Sequence, residues 1–171
     1  FRKLTVFDGL KQVASGLPAT INLSLGANAT PPVGAVSMRM GVVAGEGDRG
    51  TTGDAVAVRS YSASGASPNA YATLNNDVGA ADNFFNSSIT RLNANVAAKS
   101  PNYINQLGVD MDVFDVANAG NTVIQNSTNA LDINLTTAGD VFLPSVVTTA
   151  VQLYVPNVQQ DMVKTVVDLN G

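Results

Sequence analysis

The stretch ALDINLTTAGDVFLPSVVTTAVQLYVP, residues 130–156, decides how this chain is read. It reads as two extended segments, separated by the turn signal Gly139-Asp140 and closed by Pro156. A third extended segment, MVKTVVDLNG, follows at residues 162–171. It begins after the point where a compact domain could have closed, and it ends the chain. A strand placed there has three options: its own sheet, a following domain, or another copy of the molecule. The functional reading turns on that choice, because the sequence carries no enzyme signature.

Upstream, the same extended character recurs. Ala19, Ile21, Leu23 and Leu25 alternate with Thr20, Asn22 and Ser24, the period of two that marks a half-buried strand. Further strands are expected at 3–7, 36–43, 54–59, 84–92, 109–116, 122–128 and 131–135. Gly26 to Pro32, the glycine- and acid-rich run 44–54, the Ser/Ala/Gly stretch 61–70, Asn75-Asn76-Asp77, Asp82-Asn83 and Ser100-Pro101-Asn102 separate them. Only 8–14 and 103–107 have the makings of a helical turn or two. About 8–11 short strands with minimal helix predict an all-β sandwich, jelly-roll-like, over residues 1–156. Residues 157–171 then form a C-terminal extended strand.

Composition agrees with this and narrows the chemistry. The chain has 171 residues, enough for one domain with a sizeable core. Charged residues make up 13%, so the surface must be built from Asn, Thr, Ser and Gly, whose short side chains suit strands and turns. There is no cysteine and no histidine, which removes Ser–His–Asp and Cys–His catalysis together with the commonest metal ligand. Net charge is −4 and the nine basic residues are scattered, which argues against a nucleic-acid partner. No apolar run reaches the roughly 20 residues of a membrane span. No signal peptide or initiator Met stands at the start, so the chain is expected to be a processed or excised piece.

Several motifs in this order carry a resemblance. They are Gly47-Asp48-Arg49-Gly50 with Gly53-Asp54, the run 83–89 (NFFNSSI), the run 101–108 (PNYINQLG), Asp110 with Asp112, the run 139–144 (GDVFLP) and Leu153-Tyr154-Val155-Pro156. Together they resemble an N-terminal all-β module of large bacterial cell-surface proteins that precedes tandem immunoglobulin-like repeats of unassigned function. The resemblance covers most of residues 16–171. It implies an extracellular, cell-surface location and a non-enzymatic role. It also makes residues 164–171 look like the first strand of the repeat that normally follows, here without the rest of that repeat.

The candidate sites follow from residue type and spacing. In the tail, Val163, Thr165, Val167 and Leu169 share one face, next to Met162, and Lys164, Val166 and Asp168 share the other. Such an apolar edge is normally suppressed, so the segment is the candidate assembly strand, given to a neighbouring copy or to adjacent Ig-like repeats. The run 1–7 is the other candidate donor. Asp110 and Asp112 point to one face of a strand. With Glu46, Asp48, Asp54 and Asp115 they are candidate oxygen ligands for Ca²⁺. Glu46 paired with Asp110 or Asp112 is the one arrangement that could serve glycoside chemistry. Tyr61 and Tyr71 flank a loop and are candidate stacking platforms for a glycan. Five Asn-x-Ser/Thr sequons, at Asn22, Asn28, Asn86, Asn126 and Asn134, are candidate glycosylation sites. A Lys–Asn amide crosslink would offset the missing disulfides, with Lys3, Lys11, Lys99 or Lys164 as the amine. The leading expectation is a non-enzymatic subunit of an extracellular filament or fibrous adhesin, assembled by strand complementation. The alternative is a monomeric adhesin module that binds glycan or protein.

Overall fold

The structure, a computed structural model, describes residues 1–27, 29–61, 68–76, 78 and 82–155. Its strands are β1 (Arg2–Asp8), β2 (Val13–Ala14), β3 (Ala19–Ser24), β4 (Met38–Gly45), β5 (Ala55–Ser60), β6 (Ala72–Thr73), β7 (Ile89–Arg91), β8 (Val109–Asp115), β9 (Ala130–Thr136) and β10 (Val141–Gln152). They form two sheets. One runs in the order β1-β10-β4-β8-β7, with β2 also on β10; the other runs β3-β9-β5-β6. The expected all-β sandwich is therefore what the chain builds. The only helical element among the described residues is a single 3-10 turn, Ala119–Asn121, so neither 8–14 nor 103–107 becomes helix. No described helix is long and apolar enough to cross a membrane.

The period of two explains the core. On β4, Met38, Met40, Val42 and Ala44 face inward; on β9, Leu131, Ile133 and Leu135 do so; on β5, Val56 and Val58. β10 is the longest strand and uses both edges. β4 lines one edge from Leu143 to Val151, while β1 and β2 share the other. Pro144 sits inside this central strand because the ladder to β4 bulges between Pro144 and Val146, where a missing N–H costs least. On the free side of the bulge, Gly9 N–H and Lys11 N–H reach Ser145 O and Pro144 O, which bends the chain between β1 and β2.

One expected strand is not formed and another is cut short, for identifiable reasons. Residues 122–128 read as extended, but side chains take over their hydrogen bonds. Asn118 Oδ1 accepts from both Val123 N–H and Ile124 N–H, and its Nδ2 donates to Val36 O and Ile124 O. Asn121 and Asn126 close the same knot onto Gly34 and Pro31. An amide side chain that satisfies backbone donors in this way leaves none for a ladder. The run 84–92 shortens to β7, and Phe84 and Phe85, both buried, lie on the loop that precedes it. Ser87 then takes φ +60° and turns the chain.

Phe84 and Phe85 seal the core. Phe84 meets Phe85 and Phe114 edge-on, at 5.2 and 5.4 Å between centroids, and Phe85 lies 4.3 Å from Phe142. Phe114 and Phe142 belong to β8 and β10, so the cluster pins the 82–88 loop to the six-stranded sheet. Phe85→Ala should cost about 3–5 kcal/mol in urea unfolding, by lost transfer energy and the cavity left behind. A loss under about 1 kcal/mol would show that the loop, not the ring, carries the packing.

Candidate functional site

At one end of the sandwich the 46–54 loop, the 82–88 loop, residues 104–108 and the β9–β10 turn meet. Buried carboxylates lie beneath them. Strand alternation on β8 sends Asp110, Asp112 and Phe114 to the same side, and that side is the interior: Asp110 is 0% exposed and Asp112 1%. Asp110 Oδ1 accepts from Ser88 N–H at 3.1 Å; the Thr90 hydroxyl donates to Asp112 Oδ1. The second oxygen of each makes no hydrogen bond of ordinary geometry. Burial pushes Asp110 up to about 7, reinforced by the charge of Asp112 and opposed by the Ser88 N–H. Burial likewise pushes Asp112 up to about 6, against the hydrogen bonds of Thr90 and Asn76.

The glycines of the 47–53 motif follow from close approach. A Cβ on Gly47 would lie 1.9 Å from Asp110 Oδ2 and 2.7 Å from Phe85 O, so only glycine lets the loop lie down on the buried carboxylate. Gly53 has φ +115°, and a Cβ there would strike Ala138 at 2.9 Å. The Ser87 hydroxyl donates to Gly47 O and accepts from Gly108 N–H, joining three of the loops. Above them opens a polar cleft of about 590 Å³, lined among others by Glu46, Asp48, Arg49, Ser87 and Asn105.

Asp54, at the start of β5, is fully buried. It pairs with Asn83 through a parallel bridge, and burial pushes it up to about 6, opposed by the Thr137 hydroxyl and reinforced by Asp140 and Asp48. The candidate calcium ligands therefore do not form one cluster. Asp115 lies on the opposite, outer face of β8. There Arg39 holds it in an ion pair at 2.7 Å, and that hydrogen bond keeps its carboxyl below the usual range. Glu46 and Asp48 are exposed in the loop. Among the described residues no three acids, histidines or cysteines converge on a point.

The remaining candidates are placed as follows. Tyr61 and Tyr71 do come together, around Arg59, whose guanidinium lies 5.8 Å from the Tyr61 ring and 4.4 Å from the Tyr71 ring. The Tyr61 hydroxyl and Arg59 both donate to Asp132, as does Asn22 Nδ2 at 2.6 Å. Burial opposes the charge of Asp132, yet these three donors outweigh it and hold the carboxyl below its usual range. This knot on the outer face of the four-stranded sheet occupies one side of each ring with protein. Sequence reasoning missed it; the only signal was Asp132, an acid inside a strand. Of the sequons, Asn22 is exposed but bonded to Asp132. Asn86 accepts from Ser88, Asn126 donates to Pro31 O and Gly34 O, and Asn134 accepts from Thr20. Asn28 lies outside the described residues. So does the tail, with Met162, Val163, Lys164, Thr165, Val167 and Leu169. Lys3 donates to Ser24 O and Lys99 to Pro101 O and Tyr103 O, so neither stands at a buried carboxylate.

No protein-family model, curated protein or solved structure matches the chain.

The raised aspartates give stability a definite pH dependence. Folded Asp110 and Asp112 keep their protons above the ordinary value of 3.8, at which the unfolded chain releases them. Between about pH 4 and 7 the folded state binds more protons, so stability falls as pH rises through that window and levels off above it. Asp115 and Asp132 act oppositely, but their contribution is lost only as pH falls below the ordinary carboxylate range. In calcium-free buffer the melting temperature should be higher at pH 4.5 than at pH 8, and Asp112→Asn should shrink the difference. A wild-type profile that rises from pH 4.5 to 8 would contradict the assignment.

Proposed function

We propose that this chain is a non-enzymatic structural protein of a bacterial cell surface, a subunit or module of an extracellular filament or fibrous adhesin joined by β-strand complementation. The observation that carries the reading is an open flank. β1 ends one sheet and β3 ends the other, and among the described residues neither has a partner on its outer edge. Between them runs an apolar groove of about 260 Å³, lined by Phe7, Leu10, Ile21, Leu135, Pro144 and Val147 among others. Lys3 Nζ, bonded to Ser24 O at 2.9 Å, ties the two edges together at the other end.

The outer face beside this flank also exposes apolar side chains among its polar ones. Leu4 is 75% and Val6 66% exposed, and in register with them lie Ala150 and Thr148 of β10, then Arg39 and Gly41 of β4. A free edge next to exposed apolar side chains invites strand pairing, and soluble monomers usually blunt it. The occupant in this reading is residues 162–169 of a neighbouring copy. Val163, Thr165, Val167 and Leu169 would face the groove, while main-chain hydrogen bonds extend a sheet. A contact between a tail and a different surface does not close on itself, and it propagates as a filament. The resemblance to a surface-protein module supports the same location.

The test is light scattering of the full chain over a range of concentrations. Large species that persist on dilution are expected. They should be absent when residues 157–171 are deleted, and shortened by excess peptide 157–171. A full chain that stays at 17.6 kDa throughout, or a truncated chain that still polymerises, defeats the reading. Monomers throughout would instead favour a binding module, with the 590 Å³ polar cleft as the place for a glycan.

A further inference from the structure

The junction of the 46–54 loop, Asn83 and the β9–β10 turn holds a group of buried oxygens that the fold itself does not satisfy. Asp54 is 0% exposed, and neither carboxylate oxygen makes a hydrogen bond of ordinary geometry. Asn83 is 4% exposed. Its Nδ2 is used twice, on Asp48 O at 3.0 Å and Arg49 O at 3.2 Å, which leaves Oδ1 buried without a donor. Asp140 turns Oδ1 to its neighbour Val141 N–H, and its buried Oδ2 is also without a donor. The backbone draws these groups together: Asp54 bridges Asn83, Gly53 N–H reaches Asp82 O, and Ala138 N–H reaches Gly53 O. Thr137 Oγ1 accepts from Gly139 and Asp140 N–H and stands close enough to Asp54 to favour its charged form.

Leaving such acceptors buried and unpaired is expensive, more so when they are charged. No lysine or arginine among the described residues forms an ion pair with Asp54. What the oxygens lack is a positive centre, not a partner of a special shape. We propose that this junction is a Ca²⁺ site, with Asp54 as its principal ligand and Asn83 Oδ1 and Asp140 Oδ2 as further oxygens. Water and loop carbonyls would complete the six to eight hard ligands that Ca²⁺ takes. The donors are carboxylate and amide oxygens only, the chemistry of Ca²⁺ and not of zinc or copper. Mg²⁺ is disfavoured, because it demands a near-ideal octahedron and gives up water reluctantly.

The site carries two carboxylates, not three, consistent with the lack of any three-acid convergence among the described residues. Its affinity therefore belongs with extracellular modules, with a Kd of roughly 10⁻⁴–10⁻³ M, and not with cytosolic sensors. Bound Ca²⁺ would lock together the three chain segments that form this end of the sandwich. This role does not depend on strand exchange, and it stands or falls separately from the assembly reading.

The experiment is thermal unfolding of the full chain at pH 7.5 in EDTA, in 10 mM CaCl₂ and in 10 mM MgCl₂. At 10 mM CaCl₂ a site with a Kd of about 1 mM raises the melting temperature by roughly 3–6 °C. MgCl₂ should give a clearly smaller rise. Asp54→Asn should lose the calcium response and Asp140→Asn should reduce it. Asp115→Asn, on the opposite face, should keep it in full. Equal melting in EDTA and CaCl₂ overturns the proposal. So does an Asp54→Asn protein that responds like the wild type, or an equal response to both cations, which would mark general charge screening.

Discussion

Two consecutive phenylalanines hold this molecule together. Phe84 and Phe85 lie on a loop, yet both are buried, one against Phe114 and the other against Phe142. With no tryptophan and no disulfide in the chain, these rings supply much of the large apolar surface in the core. Their consequence is positional. By anchoring the 82–88 loop to β8 and β10, they place Asn83 beside Asp54, and Ser87 and Ser88 over Gly47 and Asp110. The polar end of the sandwich is organised from beneath by an apolar contact.

That end is where the molecule departs from ordinary economy. Of the four buried aspartates among the described residues, three, Asp54, Asp110 and Asp112, have no ion pair, in a protein whose surface has little charge to spare. Buried acids without a counter-charge weaken a fold unless they are protonated, hydrogen-bonded or bound to a cation. Asp110 and Asp112 are held by Ser88 and Thr90 and keep their protons toward neutral pH. Asp54 has only the Thr137 hydroxyl nearby, and neither of its oxygens makes a hydrogen bond of ordinary geometry. All three are raised by burial and so respond to proton concentration, but they differ in how far the fold itself satisfies their oxygens.

The flank formed by β1 and β3 shows the opposite imbalance, apolar surface and main-chain groups left without partners among the described residues. The other outer face, on the four-stranded sheet, is finished by the knot of Asn22, Arg59, Tyr61 and Asp132. The outer face of the four-stranded sheet is thus closed by polar contacts, while among the described residues the β1 and β3 edges keep no strand partner.

The sequence by itself determined the class of fold and most of its strands. Alternation in 19–25, 36–43, 109–116 and 131–135 follows from the pleat, and a pleated strand with one apolar face has few other ways to bury it. It also determined that Asp110 and Asp112 share a face, because residues two apart in a strand always do. Only the tertiary structure decided that this face is the interior, since Val109, Met111 and Val113 make the more apolar face and alternation alone would have turned them inward. It alone decided that 122–128 is not a strand, because the competing acceptor, Asn118, has to be brought to Val123 and Ile124 by a turn. It separated Asp115 from the other acids by a single step of the pleat, and it gathered Asp54, Asn83 and Asp140 from three distant segments. Local periodicity encodes which side of an element is apolar. Which neighbours meet there depends on sheet order and loop closure, and those arise only when the two sheets pack.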